Sequence, residues 1–281
     1  MRHLFSAAES LITTHRTHRT LGWWMWRATL VSLLCLLLWD ASGLDVWVMQ
    51  HIASPAGFEL TNNYWLSAVL HTGARNAAVV VIVCLWLLAL VWPSNAHPQL
   101  GRRVQRVWLL LGVALSLMLI STLKALCGVS CPWELSQFGG TAAYVSHWRF
   151  CVADNGSGGC FPGGHVSSAF GYVALLPGFL MAAEAPIRSR ARMALFALMV
   201  IGLALGLAQT LRGAHYPSHT LWTAWLCWGS AWAWYVLGEW LQVKRLRYPQ
   251  KKTAHAQAGH IYTPDAADEE DNVALDQLRN L

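Results

Sequence analysis

Two histidines, a lysine and a pair of glycines are the residues of this chain whose types and spacing can do chemistry. His165 closes the run Phe161-Pro162-Gly163-Gly164-His165, and His215 closes Arg212-Gly213-Ala214-His215. Each histidine borders a long apolar run, and Lys124 ends another. A neutral imidazole serves as nucleophile or base, its protonated form as acid, and a lysine as a point positive charge. The glycines allow backbone amides to approach an anion closely, and a helix beginning at His165 would turn its free N–H groups toward that anion. Ser167 and Ser168 would fall in its first turn. A base, an acid and cations at the depth of a lipid headgroup point to phosphoryl chemistry.

Arg212 and His215 are three residues apart and His215 and His219 four apart, so a helical turn would set all three near one face. Pro217 argues against a regular helix through the segment, because it lacks a backbone donor. Each feature alone has a plainer explanation: a Gly-rich turn entering a helix, an interfacial histidine, a lysine extending its head to water. Their conjunction on three apolar runs is what makes them candidates, since ionisable groups at membrane depth are costly.

The elements that must position these residues are membrane helices. With 281 residues, 55% hydrophobic content, 17 Trp and 12% charged residues, the composition excludes an ordinary soluble domain. Six runs, at about 22–39, 76–93, 107–126, 165–184, 193–211 and 219–240, are long enough to cross roughly 30 Å of hydrocarbon. The expected fold is all-α: a six-transmembrane-helix bundle with a long outer loop between the third and fourth crossings. An even number of crossings puts both termini on one side.

Basic residues gather at Arg2, Arg16 and Arg19, at Arg102, Arg103 and Arg106, at Arg188, Arg190 and Arg192, and from Lys244 to Lys252. The opposite face keeps only Arg75, Lys124, Arg149 and Arg212. The positive-inside bias therefore puts the termini in the cytoplasm and the candidate site on the periplasmic or exterior face of the plasma (inner) membrane. The net charge of +6 is a topology signal, and no nucleic-acid partner is expected. A basic segment 1–21 precedes the membrane domain 22–240. Its first apolar run is as long as a crossing and no small-residue cleavage site follows, so it is expected to be a retained helix. The polar tail 241–281, with Asp265, Asp268, Glu269, Glu270, Asp271 and Asp276, is expected to be disordered or weakly helical in the cytoplasm.

The stretch from about Gly128 to Gly164 is long for a connector, and its Trp133, Phe138, Tyr144, Trp148, Phe150 and Phe161 speak against disorder. Some of these aromatics also suit interfacial anchoring, Trp148 and Phe150 above all. Cys35, Cys84 and Cys227 fall in apolar runs, whereas Cys127, Cys131, Cys151 and Cys160 fall in the outer region, where two disulfides have three possible pairings. A Cys131–Cys160 link is preferred, since it would tie the chain after Lys124 to the chain before His165, at roughly 3–4 kcal/mol.

These residues resemble the signature of the type-2 phosphatidic acid phosphatase superfamily, K-x6-R-P, then P-S-G-H, then S-R-x5-H-x3-D. Here Lys124 with Pro132, then Pro162-Gly163-Gly164-His165, then His215 with His219 occupy the corresponding places, and the segments around them are similar to a bacterial membrane-bound branch. The resemblance implies an integral membrane phosphatase acting on a lipid phosphomonoester or pyrophosphate. It implies that His215 is the nucleophile of a phosphohistidine intermediate and His165 the general acid, then base. Lys124 and the amides of Gly163 and Gly164 would hold the phosphate oxygens. The scheme requires no metal and no cofactor. Its partners are the lipid phosphate and the bilayer.

Several positions depart from that signature. Cys131 and Gln209 stand where the family has arginines, which leaves Arg212 and Arg75 as phosphate-binding substitutes. His219 stands where the nucleophile-orienting aspartate belongs; it can accept a hydrogen bond from His215 but brings no negative charge, so Glu134 and Asp154 are alternative carboxylates. Gly163 replaces a serine. Transfer of the phosphoryl group to a second lipid, or lipid-phosphate binding or transport without turnover, are the competing readings.

Overall fold

The computed structural model describes residues 2–93, 103–149 and 152–260, with side chains over 22–93, 103–149 and 152–241. The basic side chains at 2–19 and 244–252, Arg102, Phe150, Cys151 and the acidic tail beyond 260 lie outside these described residues. Helices dominate: α1 (Arg2–Ser42), α2 (Leu44–Ile52), α3 (Ala74–Val91), α4 (Arg103–Leu126), α5 (Ser167–Phe170), α6 (Pro177–Leu180), α7 (Ala185–Leu211) and α8 (Pro217–His260). Among the described residues the only β geometry is two isolated bridges, Ser54 with Gly57 and Leu135 with Ala142. Residues 1–235 pack as one compact unit; residues 236–281 form a second, helical as far as His260.

Among the described residues four helical stretches are long and apolar enough to cross a bilayer: Gly22–Ser42, Trp65–Val91, Arg103–Leu126 and Ala185–Leu211. The second begins at Trp65 rather than near 76. Asn63 starts it, accepting from the Leu66 amide at 3.2 Å through its side chain and from the Ser67 amide at 2.9 Å through its carbonyl. The polar run His71-Thr72-Gly73, which looks like a boundary in sequence, lies inside a π-helical turn, Trp65–Gly73, that leads into α3. The last run lies within α8, whose apolar character comes largely from tryptophan.

The run 165–184 is not a continuous helix. It folds as α5, a 3-10 segment Gly171–Leu175, and α6. Pro177 opens α6 and has no amide to continue the preceding ladder. The Ser167 and Ser168 hydroxyls instead donate to the Gly164 and His165 carbonyls, at 2.6 and 2.7 Å. The expected helix starting at His165 is thus replaced by a turn, and the first α-helical residue is Ser167.

This broken element is the centre of the packing. Phe170, Val173, Ala174 and Leu180 are buried, and the Tyr172 hydroxyl donates to the Ala78 carbonyl of α3 at 2.8 Å. Small residues on α7 admit it. A Cβ at Gly202 would lie 2.3 Å from the Phe170 ring, and one at Gly206 would lie 2.3 Å from Thr220 of α8. Tryptophan indoles join the long helices. Trp234 stacks on Trp108 at 4.0 Å and donates to its carbonyl, and Trp228 donates to Thr29 of α1 at 2.8 Å. Satisfying these two indole N–H groups inside the bundle matters because lipid offers no acceptor.

Gly202→Ala should therefore cost about 1–3 kcal/mol through overpacking against Phe170. Gly22→Ala, inside α1 where an added Cβ meets nothing within 4 Å, should be neutral or stabilising by up to about 1 kcal/mol. Thermal unfolding of the two variants in detergent measures the difference.

Candidate active site

Residues 127–149 and 152–166 form a folded cap over one end of the helices. Cys131 and Cys160 are joined in a disulfide with Cα atoms 5.0 Å apart, while Cys127 is free. The Cys160 and Gly159 amides donate back to the Val129 and Cys127 carbonyls, at 3.0 and 2.7 Å. Asp154 accepts from the Ser130 amide (2.6 Å), the Ser130 hydroxyl (2.8 Å) and the Gly156 amide (3.0 Å). Burial pushes its carboxyl up, but these donors outweigh that and hold it below the ordinary range. Glu134 accepts from the Cys131 amide at 2.9 Å and from the Ser157 hydroxyl. Both carboxylates considered as substitutes for the missing aspartate are thus bound into the cap and do not hydrogen-bond to His215.

Under this cap the three sequence sites meet. His215 lies in the turn between α7 and α8 with its Nδ1 3.5 Å from the Cys160 sulfur. Lys124, His165 and His71 all act electrostatically on it. Lys124 reaches in from the end of α4, donating to the Gly159 carbonyl, and its stem runs along Gly164, where an added Cβ would lie 3.2 Å from Cδ. His165 is half-buried and feels Lys124, Arg75 and Arg212. Arg75 is exposed at the start of α3.

The turn carrying His215 is fixed from several sides. Gly213 adopts φ +75°, and a Cβ there would strike the Phe58 ring at 2.2 Å, so only glycine fits both the backbone and the space. Arg212 is buried; its Nε donates to the Thr61 carbonyl at 3.0 Å and its Nη1 to Gln209 Oε1 at 3.2 Å, while its guanidinium lies over the Trp133 ring at 5.6 Å. Gln209, in the place of a family arginine, therefore holds Arg212. The Ser218 amide donates to Asp45 Oδ1 at 3.0 Å, so a carboxylate from α2 caps α8 at its positive end.

The glycine turn differs from the simple cradle expected. The Gly163 amide donates to the His219 carbonyl at 3.2 Å, and Thr223 donates to the Gly163 carbonyl at 3.1 Å. Among the described residues no backbone acceptor faces the amides of Gly164, His165 or Val166. His219 also differs from expectation. Its ring meets that of His215 edge to face with centroids 5.7 Å apart, and its Nδ1 has no hydrogen-bond partner. His215 precedes α8 and turns toward Cys160, whereas His219 sits within the helix, so the i, i+4 spacing does not make the bond.

Three residues were missed. His71 lies against His165 with ring centroids 3.5 Å apart; its i, i+4 spacing to Arg75 is a signal only once the segment is known to be helical. His147 lies 3.4 Å from Asp40, stacks on Phe161 at 4.2 Å and meets His219 at 5.6 Å. Asp40 also accepts from the Trp148 and Trp222 indoles, at 3.0 and 2.8 Å, and so ties α1, the cap and α8 together. The sulfurs of Cys131 and Cys160 and a His215 nitrogen lie within 4.8 Å of one another, but the disulfide leaves no thiolate there for a metal.

Burial, reinforced by Lys124 and His165 and opposed by the Cys160 backbone, pushes His215 down to about 3. It is therefore neutral, the form in which an imidazole is nucleophilic. The unfolded chain takes up this proton below about pH 6.5, the folded chain only near 3. His215 is thus compatible with full stability above pH 6.5 and favours unfolding as the pH falls from there toward 3, by up to about 1.4 kcal/mol per pH unit. His215→Gln should flatten that acid dependence in pH-resolved thermal unfolding; an unchanged slope would show that His215 does not contribute to it.

Residues 105–242 match the family model described as the PAP2 superfamily. No curated protein matches the chain. Among solved structures it is similar to the crystal structure of the first transmembrane PAP2 type phosphatidylglycerolphosphate phosphatase from Bacillus subtilis. That likeness is 17% in identity over 75% of this chain and 96% of that one, with a TM-score of 0.47. Residues 105–242, the part of the chain that matches the PAP2 superfamily, carry Lys124, the glycine turn, His165 and His215.

Proposed function

We propose that the protein is an integral membrane phosphatase that hydrolyses a lipid phosphomonoester or pyrophosphate through a phosphohistidine intermediate. One observation carries the reading: Lys124, His165 and a neutral, buried His215 interact beneath one cap, in the part of the chain that matches the PAP2 superfamily. No carboxylate is ion-paired with any of them among the described residues.

In this scheme Nδ1 of His215 faces Cys160 and leaves Nε2 to attack phosphorus in line. His165 protonates the leaving oxygen, then takes a proton from the water that frees the enzyme. Lys124 and the amides of Gly164, His165 and Val166 hold the equatorial oxygens, where charge builds in the transition state. Gly163, whose amide is engaged, supports the turn. Arg212, held by Thr61 and Gln209, has Nη2 available for a phosphate oxygen, and Arg75 supplies a second guanidinium in place of those missing from the signature. His219 then acts on His215 as a neutral neighbour.

The six-crossing reading, with 165–184 as an irregular crossing and 219–240 as a tryptophan-rich one, puts both termini in the cytoplasm and the site at the exterior or periplasmic side. The distribution of basic residues supports it. Irregular backbone at membrane depth is tolerated where protein surrounds it, as it does around Phe170 and Val173. Substrate would enter sideways from the outer leaflet, and phosphatidic acid, phosphatidylglycerol phosphate, polyprenyl pyrophosphates and lipid A phosphates all offer the required group.

A phosphate-release screen of the purified protein against these lipids tests the reading. His215→Ala should abolish release and His165→Ala should lower kcat about 10²–10⁴-fold, both without loss of expression. Undiminished turnover by the His215 variant would exclude the covalent route, and labelled lipid in place of free phosphate would assign a transferase. Arg212→Lys, which gives up the fork geometry, should lower kcat/KM about 10–100-fold. An unaltered value would remove Arg212 from the site.

A further inference from the structure

We infer that Cys160 is the positioning residue for the nucleophile: its disulfide sulfur accepts a hydrogen bond from Nδ1 of His215 and so takes over the task of the aspartate that His219 replaces. The inference rests on the phosphatase reading above and gives a role to a residue outside the signature positions. Cys160 Sγ lies 3.5 Å from His215 Nδ1, and both residues are buried. The Ala214 carbonyl lies 3.3 Å from the same sulfur, so the residue before the nucleophile packs against that atom as well.

The oxidation state of the sulfur decides which partner donates. A thiol at Cys160 would carry a proton of its own, with the Ala214 carbonyl and His215 Nδ1 both within reach as acceptors. The sulfur of the Cys131–Cys160 bridge has no proton and can only accept. Its hydrogen bond with Nδ1 therefore puts the imidazole proton on that nitrogen. The bond made by one ring nitrogen fixes the state of the other, so Nε2 keeps the lone pair that attacks phosphorus.

The other candidates for this task are turned elsewhere. The His219 ring stands 5.7 Å from that of His215, centroid to centroid, and its Nδ1 has no hydrogen-bond partner. Glu134 and Asp154 are bound into the cap. Of the groups that act on the charge of His215, the Cys160 main chain is the one that favours a proton there. Cys160 is itself held firmly, its amide donating to the Val129 carbonyl at 3.0 Å and its side chain bridged to Cys131. A sulfur acceptor is weak and uncharged. It orients the imidazole while leaving the positive potential of Lys124 and Arg212 to the phosphate.

The test uses the purified full chain in detergent. Long-range nitrogen-15 spectra of histidine-labelled protein at neutral pH, with His215 identified by the signal that His215→Gln removes, should show the Nδ1–H form. The Nε2–H form would overturn the inference, and this readout needs no change at Cys160. Two double variants then separate orientation from tethering, read by phosphate release from the lipids named above. Cys131→Ala with Cys160→Ala removes bridge and acceptor together; kcat should fall about 10–100-fold, as for other partners that orient a histidine, with KM within about threefold of wild type. Cys131→Ala with Cys160→Asp lacks the bridge but regains an acceptor, and its kcat should be at least about tenfold above that of the alanine pair. A bridge that only staples the cap would lower both alike. Equal kcat in the two double variants, or wild-type kcat in the alanine pair, would overturn the inference and leave the phosphatase reading intact. Absence of phosphate release by the wild-type chain would defeat that reading and the role of Cys160 with it, whichever tautomer the spectra show.

Discussion

Bringing several nitrogen bases and cations together, with no carboxylate ion-paired to them among the described residues, is the constraint on which the rest of this structure depends. Burial disfavours every positive charge, and like charges at close range disfavour one another. Lys124 answers by donating to the Gly159 carbonyl, Arg212 by donating to Thr61 and Gln209, and His215 by remaining neutral. These solutions use oxygen acceptors and neutrality instead of counter-ions, and so leave net positive potential in the site. In the proposed reaction, the phosphate supplies negative charge to this cluster, and its attraction to the cations becomes affinity and transition-state stabilisation.

Keeping such a cluster assembled demands a rigid frame, and the frame is largely polar. The cap formed by residues 127–149 and 152–166 is short of regular structure but rich in internal bonds: the Cys131–Cys160 disulfide, the three donors on Asp154, and Glu134 bridging the Cys131 amide to Ser157. Phe138, Leu135 and Ala142 of the cap bury against Met49, Phe58 and Tyr216. The same contacts restrain Gly213 and the turn that presents His215. Acidic residues of this region thus serve architecture, Asp40 and Asp45 by joining α1 and α2 to α8, Asp154 by closing the cap.

The irregular element between α4 and α7 follows from the same demands. The turn that precedes α5 leaves the amides of Gly164, His165 and Val166 clear of backbone acceptors, as a helix starting at His165 would also have done. Pro177 and the serine hydroxyls stabilise the irregular backbone, and the glycines of α7 let it approach closely enough to bury Phe170. Close packing by small residues substitutes for the hydrophobic driving force that lipid cannot provide.

Much was legible in the residues themselves. Apolar length determined a helical, membrane-crossing architecture, because bilayer thickness and helix rise leave few alternatives. The order Lys124, Pro162-Gly163-Gly164-His165, His215 pointed to the superfamily whose model matches residues 105–242. Tertiary structure alone decided which neighbours each group meets. The sequence spacing of His215 and His219 implied a bond that the turn at Pro217 does not make; the carboxylates of Glu134 and Asp154 were free on paper and are engaged in the cap. His71, 94 positions from His165 by number, meets it ring to ring. Local periodicity reports the face of one element, whereas a site built by three helices and a cap depends on crossing, depth and loop path, which are set by packing between residues distant in the chain.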